Sequence, residues 1–299
     1  MTVLEVCDLE KSFGNRTVLD KLSFSVGKNA IYGLLGPNGA GKTTTINILC
    51  SLLDADAGSV SIGGDSVSER TRHRVGFVPQ EICVYQDLTC RENVFFFARI
   101  YGLQGAAIAD RTKELVEMFD LHEYEDTKVA SLSGGWRRRV NIAVALVHSP
   151  SVLILDEPTA GLDIEARYDL WNLIRGFREG GVSVLLTTHQ MEEAEQLCSC
   201  IGILQNGRIV AEGSLDTLRA LVPAKQLAVI ESDDEHAVRS RAESFGWESR
   251  HYGGRLILLL PERHVLHEVV HRFNGIPLSA ISLQEVGLEH AYLEATAKG

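Results

Sequence analysis

Three stretches of the sequence carry residue types that can handle a polyphosphate. The first is Gly36-Pro37-Asn38-Gly39-Ala40-Gly41-Lys42-Thr43, a match to G-x-x-x-x-G-K-[ST]. Without Cβ atoms at Gly39 and Gly41, backbone N–H groups can curl round the β- and γ-phosphates, and a helix start behind the loop adds positive potential. Gly36, Asn38, Ala40 and Thr44 complete the same cradle. Lys42 supplies a point charge, and the Thr43 hydroxyl suits a Mg²⁺ ion.

The second stretch is Leu153-Ile154-Leu155-Asp156-Glu157, a short apolar run ending in two carboxylates. A strand emerging beside the phosphate loop carries Asp156 to the Mg²⁺ shell. Glu157, one residue on, can face an attacking water as general base. The third is Leu132-Ser133-Gly134-Gly135-Trp136, another glycine-rich turn before a helix and another potential anion site. One triphosphate site and two phosphate-binding turns per chain are reconciled by a head-to-tail dimer. Each nucleotide then sits between the loop of one subunit and the serine turn of the other.

The elements that must position these residues follow from the hydrophobic pattern. Val3–Leu9 and Leu22–Val26 read as strands, and Ala30–Leu35 as a compact apolar strand entering the phosphate loop. Thr43–Leu52 reads as a helix. Residues 81–148 are mostly helical, with Thr89-x-x-Glu92 a capping box and further helices at Ala106–Leu121 and Gly135–Val147. Strand and helix then alternate: Val152–Leu155, Ile164–Phe177, Val182–Thr187. Asn206-Gly207 marks a hairpin between Ile201–Leu204 and Arg208–Ala211. A short helix capped by Ser214 ends before Pro223. This order implies an α/β fold with a mainly parallel sheet covered on both faces, into which the helical block is inserted. Residues 224–299 read as a separate unit of order βαββαβ, a ferredoxin-like layout.

Length and composition bound the rest. The 299 residues suit one large domain or two modest ones. No apolar run is long enough to cross a bilayer, and the N-terminus lacks the pattern of a secretory signal. Net charge is −11, with −3 carried by residues 221–299 and −8 by the remainder, so neither part offers the broad basic surface of a nucleic-acid binder. The six cysteines are scattered and form no zinc spacing, as expected of reduced thiols in the cytosol.

Over about residues 1–220 the chain resembles the nucleotide-binding subunit of an ABC transporter. LSGGW resembles the signature LSGGQ. Gln80 follows Val78-Pro79 where the family has its glutamine loop. Gly161-Leu162-Asp163 matches the D-loop, Thr188-His189 the switch histidine, and Phe13 the aromatic residue that stacks on adenine. The resemblance implies a RecA-like P-loop NTPase core with an antiparallel β subdomain, a helical subdomain at about 81–148 and a small α+β C-terminal extension, the ATP-binding domain spanning 1–223. It also implies ATP and Mg²⁺ as ligands, with Thr43, Gln80 and Asp156 at the metal. Glu157, His189 and Gln80 would be catalytic. His189 would contact the γ-phosphate, Asp163 would bridge the two sites, and Ser133, Gly134 and Gly135 would reach the γ-phosphate in trans. Such a subunit hydrolyses ATP at the cytoplasmic face of the cell membrane and drives separate transmembrane permease subunits.

Trp136 departs from the signature, but Gly135-Trp136-Arg137-Arg138-Arg139 is similar to the exporter branch typified by the daunorubicin-resistance ATPase, and Ser282–Leu288 is similar to that branch's C-terminal ending. Export is therefore the expected direction. A soluble ABC ATPase acting on ribosomes or DNA and a nucleotide-dependent regulatory subunit are the alternatives. In the helical block, at least one of Phe95, Phe96 and Phe97 is expected to line an outer groove with Tyr85 or Tyr101, because three successive helical residues spread over about 200° of arc. In the tail, His264, His267 and His271 are expected on a solvated helix face opposite Val265, Leu266, Val269, Val270 and Phe273.

Overall fold

The computed structural model describes residues 1–297, in two compact units that divide between Ser214 and Leu215. In the first unit, β1 (Thr2–Phe13) and β2 (Arg16–Gly27) form a long hairpin, which β4 (Ala57–Ile62) and β5 (Asp65–Ser66) extend into an antiparallel sheet of order β2-β1-β4-β5. The central sheet holds β3 (Ile31–Leu35), β6 (Val75–Val78), β7 (Val152–Asp156), β8 (Ser183–Thr188), β9 (Cys200–Gln205) and β10 (Arg208–Gly213), in the order β10-β9-β3-β8-β7-β6. All its pairings are parallel except that of β10 with β9. The helices of this unit are α1 (Lys42–Leu49), α2 (Cys90–Ile100), α3 (Ala106–Met118), α4 (Gly134–Leu146), α5 (Ile164–Glu179) and α6 (Met191–Leu197).

The continuous apolar strands are explained by burial on both faces. Ile154 and Leu185 pack with the antiparallel sheet and α1, whereas Leu153, Leu155, Val184 and Leu186 pack with the helical layer of α2 to α5. Neighbouring strands β6 and β7 are separated in sequence by the helical block, which is thus an insertion. Its first helix opens on the expected box: Thr89 Oγ1 accepts from Glu92 N at 3.1 Å and Glu92 Oε2 from Thr89 N at 2.8 Å.

Several boundaries differ from the sequence reading. β8 starts at Ser183 rather than Val182 because Val182 N–H donates to Phe177 O and Gly181 N–H to Arg178 O. This is a Schellman closure of α5, with Gly181 at φ +84°. β4 to β6 were not legible as strands: they are short, and residues 53–80 are rich in Gly, Ser and charge. Asn206-Gly207 turns with φ +50° and +78°, the two positive values of a type I′ turn.

The second unit begins with α7 (Leu215–Arg219). It continues with β11 (Gln226–Glu231), α8 (Glu235–Ser244), β12 (Glu248–Tyr252), β13 (Arg255–Leu260), α9 (Leu266–Arg272), β14 (Ala280–Gln284) and α10 (Leu288–Ala297). Its sheet is antiparallel throughout, in the order β12-β13-β11-β14. The split between the units precedes residue 223 because α7 packs on α10, with Leu218 and Val222 buried. The histidine face forms in part: His267 and His271 are exposed, but the residues around them differ from the expectation. Val265 is the residue before the helix instead of lying in it, so it does not share the helix face of Val269 and Phe273. Val269 and Phe273 are buried, Val265, Leu266 and Val270 are exposed, and His264 turns inward to Trp247 at 5.3 Å between ring centroids.

Candidate nucleotide site

The parallel register brings four chemically distinct segments to one edge. Leu35 pairs with Thr188, Asp156 with Thr187, and Val78 with Leu155. The segments that follow these strand ends are the phosphate loop, the Gln80 segment, Asp156-Glu157 and His189. Carboxyl ends of parallel strands are where α/β sheets bind ligands. A cavity of about 280 Å³ lies there, lined by Arg16, Val18, Asn38, Gly39, Gly41, Lys42, Thr43, Thr44, Gln80, Asp156 and Glu157.

The loop conformation demands its glycines. Gly39 and Gly41 have φ +81° and +116°, and a Cβ at Gly36 would lie 2.5 Å from Leu204 O. Gly41 caps α1, and no side chain of its own closes the helix start, which leaves that N-terminus facing the cavity. Ala40 is buried and its carbonyl accepts from Gly207 N–H at 3.2 Å, so the β9–β10 turn props the loop from behind.

Lys42 is buried, with Nζ donating to Gly36 O at 2.7 Å and Pro37 O at 3.2 Å and lying 3.7 Å from Glu157 Oε1. Burial pushes its ammonium below the ordinary lysine range, an effect that Glu157 and Asp156 oppose. Burial pushes the Asp156 carboxyl up, partly offset by the Thr187 hydroxyl, which donates to Asp156 Oδ1 at 2.5 Å. Glu157 has φ +47°, a strained value for a residue with a side chain, and its N–H is held by Thr187 O at 3.0 Å. This kink turns its carboxylate back into the cavity. His189 Nδ1 stands 2.8 Å from Glu157 Oε2, yet that oxygen receives no aligned hydrogen bond and is buried. A buried carboxylate oxygen with no aligned hydrogen bond is suited to accept one from a water.

Among the described residues no cluster of three or more His, Cys, Asp or Glu side chains could hold a metal by itself. Thr43, Gln80 and Asp156 nonetheless border one cavity and offer only oxygen donors. That suits Mg²⁺, which takes one or two protein ligands and completes its shell with water and phosphate oxygens.

The remaining expected residues lie elsewhere. Phe13 is 51% exposed at the end of β1, opposite Arg16, which borders the cavity. Ser133 precedes α4 and is exposed, and its hydroxyl caps nothing. Gly134 and Gly135 face the D-loop segment: their Cβ atoms would lie 3.5 Å from Leu162 and 2.9 Å from Ala166. Asp163 caps α5, accepting from Ala166 N at 2.8 Å. The phosphate loop and the serine turn therefore do not meet in the cavity of one chain. Arg16, Val18 and Thr187 belong to the site and escaped the sequence reading. Nothing local in the sequence marked them.

The ABC transporter family model matches residues 19–160. The chain is 38% identical over 294 residues to the Nod factor export ATP-binding protein I of Burkholderia orbicola, covering 97% of this chain and 96% of that one. The chain belongs to the ABC transporter ATP-binding family. It is also 33% identical to the linearmycin resistance ATP-binding protein LnrL of Bacillus subtilis, over 99% of both chains. A solved ATP-binding subunit of an ABC transporter superposes with a TM-score of 0.65 at 33% identity, covering 73% of this chain and 92% of that one. The chain is accordingly an ATP-binding subunit with an ATPase core of the P-loop type. No helix among its described residues is long and apolar enough to cross a membrane.

Proposed function

We propose that this ATPase powers export, working as a head-to-tail homodimer on separate transmembrane permease subunits at the cytoplasmic face of the membrane. The observation that carries the dimer is the position of the serine turn. Ser133 and Gly134 are exposed, Gly134 beside Leu162, and both lie outside the cavity that holds Lys42, Asp156 and Glu157. Two such chains related by a two-fold axis each complete the other's site.

Within each site, Lys42 and the loop N–H groups bind the phosphates, and Thr43, Asp156 and Gln80 would hold Mg²⁺. When bound there, the ion would supply charge neutralisation to the phosphate oxygens. The buried Oε2 of Glu157 takes the proton of the attacking water, and His189, with Nδ1 2.8 Å from that oxygen, contacts the γ-phosphate. Ser133, Gly134 and Gly135 reach the γ-phosphate from the partner, with Asp163 at the seam. Phe13, with Lys11 Nζ 5.7 Å from its ring centroid, offers the adenine a face.

The exporter-named relatives and the arginine-rich signature support export. The permease reading draws on an aromatic surface beside the glutamine loop. Tyr85 meets Phe96 edge-on at 4.8 Å, Phe96 meets Phe97 at 5.6 Å, and Tyr85, Phe95, Ile100 and Tyr101 are exposed. Such a patch suits a short amphipathic helix of a membrane subunit.

The test is sedimentation with MgATP. Glu157→Gln should bind ATP and accumulate as a dimer. Adding Ser133→Arg should return it to monomer while ATP binding persists. A Ser133→Arg chain that hydrolyses ATP normally would refute the shared site.

A further inference from the structure

The first turns of α4 hold the glutamine loop by its backbone. Arg138, 3% exposed, donates from Nη1 to Pro79 O at 2.7 Å and from Nη2 to Gln80 O at 2.5 Å. One turn later Asn141, equally buried, accepts from Cys83 N at 3.1 Å and donates to Glu81 O at 3.4 Å. Two side chains at i and i+3 on one helix face thus satisfy four backbone groups within five loop residues. The guanidinium is buried without a carboxylate in contact, and its Nε has no partner among the described residues. Burying a charge in this way is unfavourable for stability. The planar fork is what two adjacent carbonyls require, and a lysine ammonium cannot reproduce it.

We propose that Arg138, with Asn141, is a positioning residue that sets Gln80 in the nucleotide site and makes the glutamine loop one rigid body with the Ser133 turn. Ser133 immediately precedes the helix and Arg138 lies five residues on, about 7.5 Å along the axis. A displacement of the loop at one nucleotide is thereby transmitted to the turn that serves the other. This rests on the reading of Gln80 as a ligand in the site.

The test combines hydrogen–deuterium exchange of the full-length chain with a double-mutant cycle. Arg138→Lys keeps the charge and removes the fork. Without nucleotide, it should speed exchange across residues 79–85 by about tenfold, the loss of one charge-assisted hydrogen bond, and leave exchange of α5 and β8 unchanged. It should lower MgATP hydrolysis by about tenfold in the wild-type background and less than about twofold in Gln80→Ala, because coupled residues are not additive. Asn141→Ala should reproduce the exchange pattern if Arg138→Lys does not fold. Unchanged loop exchange, or an equal loss of activity with and without Gln80, overturns the proposal. A Gln80→Ala chain of normal activity would instead remove the ligand role of Gln80, and the exchange result would still decide the clamp.

Discussion

Replacing Glu193 asks how much of the architecture behind the site hangs on one buried carboxyl. Glu193 is fully buried, and its Oε1 accepts from Thr159 Oγ1 at 2.7 Å and from Trp171 Nε1 at 3.3 Å. Thr159 opens the segment leading to Asp163, and Glu193 lies four residues beyond His189. Glu193→Ala leaves two fully buried donors without an acceptor, each worth about 1–3 kcal/mol, and truncates a core side chain. Thr159 can rotate its hydroxyl, so the expected loss is about 3–4 kcal/mol, in the lower part of the summed range. At roughly 2–4 °C per kcal/mol for a unit of this size, Tm should fall by about 10 °C. Glu193→Gln keeps an oxygen in place and should stay within about 1 kcal/mol of wild type near neutral pH. Burial raises the Glu193 pKa, so above the ordinary carboxylate value of about 4.3 the native state binds more protons than the unfolded chain. Wild-type stability contributed by this group therefore falls as pH rises from there through the raised value. Glu193→Gln lacks that dependence and gains on wild type as pH rises. Urea unfolding followed by tryptophan fluorescence across pH reads both effects. An alanine variant within about 1 kcal/mol of wild type, or a glutamine variant as unstable as alanine, would refute the reasoning.

Two further outcomes test the site and the docking surface. Asp156 must shed a proton that burial favours before it can take a cation, so the Mg²⁺ concentration for half-maximal ATP hydrolysis should rise as pH falls. A titration in which that concentration is independent of pH counts against Asp156 as a ligand. Phe96→Ala should weaken association with the permease subunits by about 1–2 kcal/mol, as truncation of an interface aromatic does. A binding titration unchanged within about twofold would remove the aromatic patch from the interface.

The phosphate loop was legible because its chemistry is contiguous: eight residues supply the glycines, the ammonium and the hydroxyl, and an apolar strand before them fixes the context. Asp156-Glu157 was legible for the same reason. Glu157's left-handed backbone was not, since no glycine or asparagine marks it. The position depends on Thr187 O capturing its N–H from the neighbouring strand. Arg138 and Glu193 were invisible as site-supporting residues because their partners lie 58 and 34 positions away, respectively, and only the strand register brings them near. The ATP-binding core therefore reads from local motifs, whereas its scaffolding reads only from packing. The tail illustrates the same limit: its order of strands and helices follows from hydrophobic runs and turns, but α9 begins later than its periodicity implies. That later start leaves Val265 outside the helix and exposed, and Leu266 and Val270 within it are exposed as well.

The same distinction explains how tryptophan can replace the signature glutamine. The side chain at 136 is not turned toward the exposed Ser133-Gly134 backbone. Trp136 packs into the helical layer, 4.6 Å from the Tyr124 ring and under the Arg139 guanidinium at 4.6 Å. The three arginines after it divide the supporting contacts. Arg137 binds the Leu132 and Ala130 carbonyls, fastening the segment before the serine turn. Arg138 takes the glutamine loop, and Arg139 reaches Phe119 O and Asp120 at the end of α3. Trp136 and Arg139 thus stack as one unit against the α3 side, leaving the N–H groups of the α4 start free to point outward. Position 136 serves the packing of the helical subdomain, apart from the Ser133, Gly134 and Gly135 turn proposed to face the partner's phosphates. An aromatic residue can occupy that position without altering the turn, provided an arginine lies three residues on to cover its face.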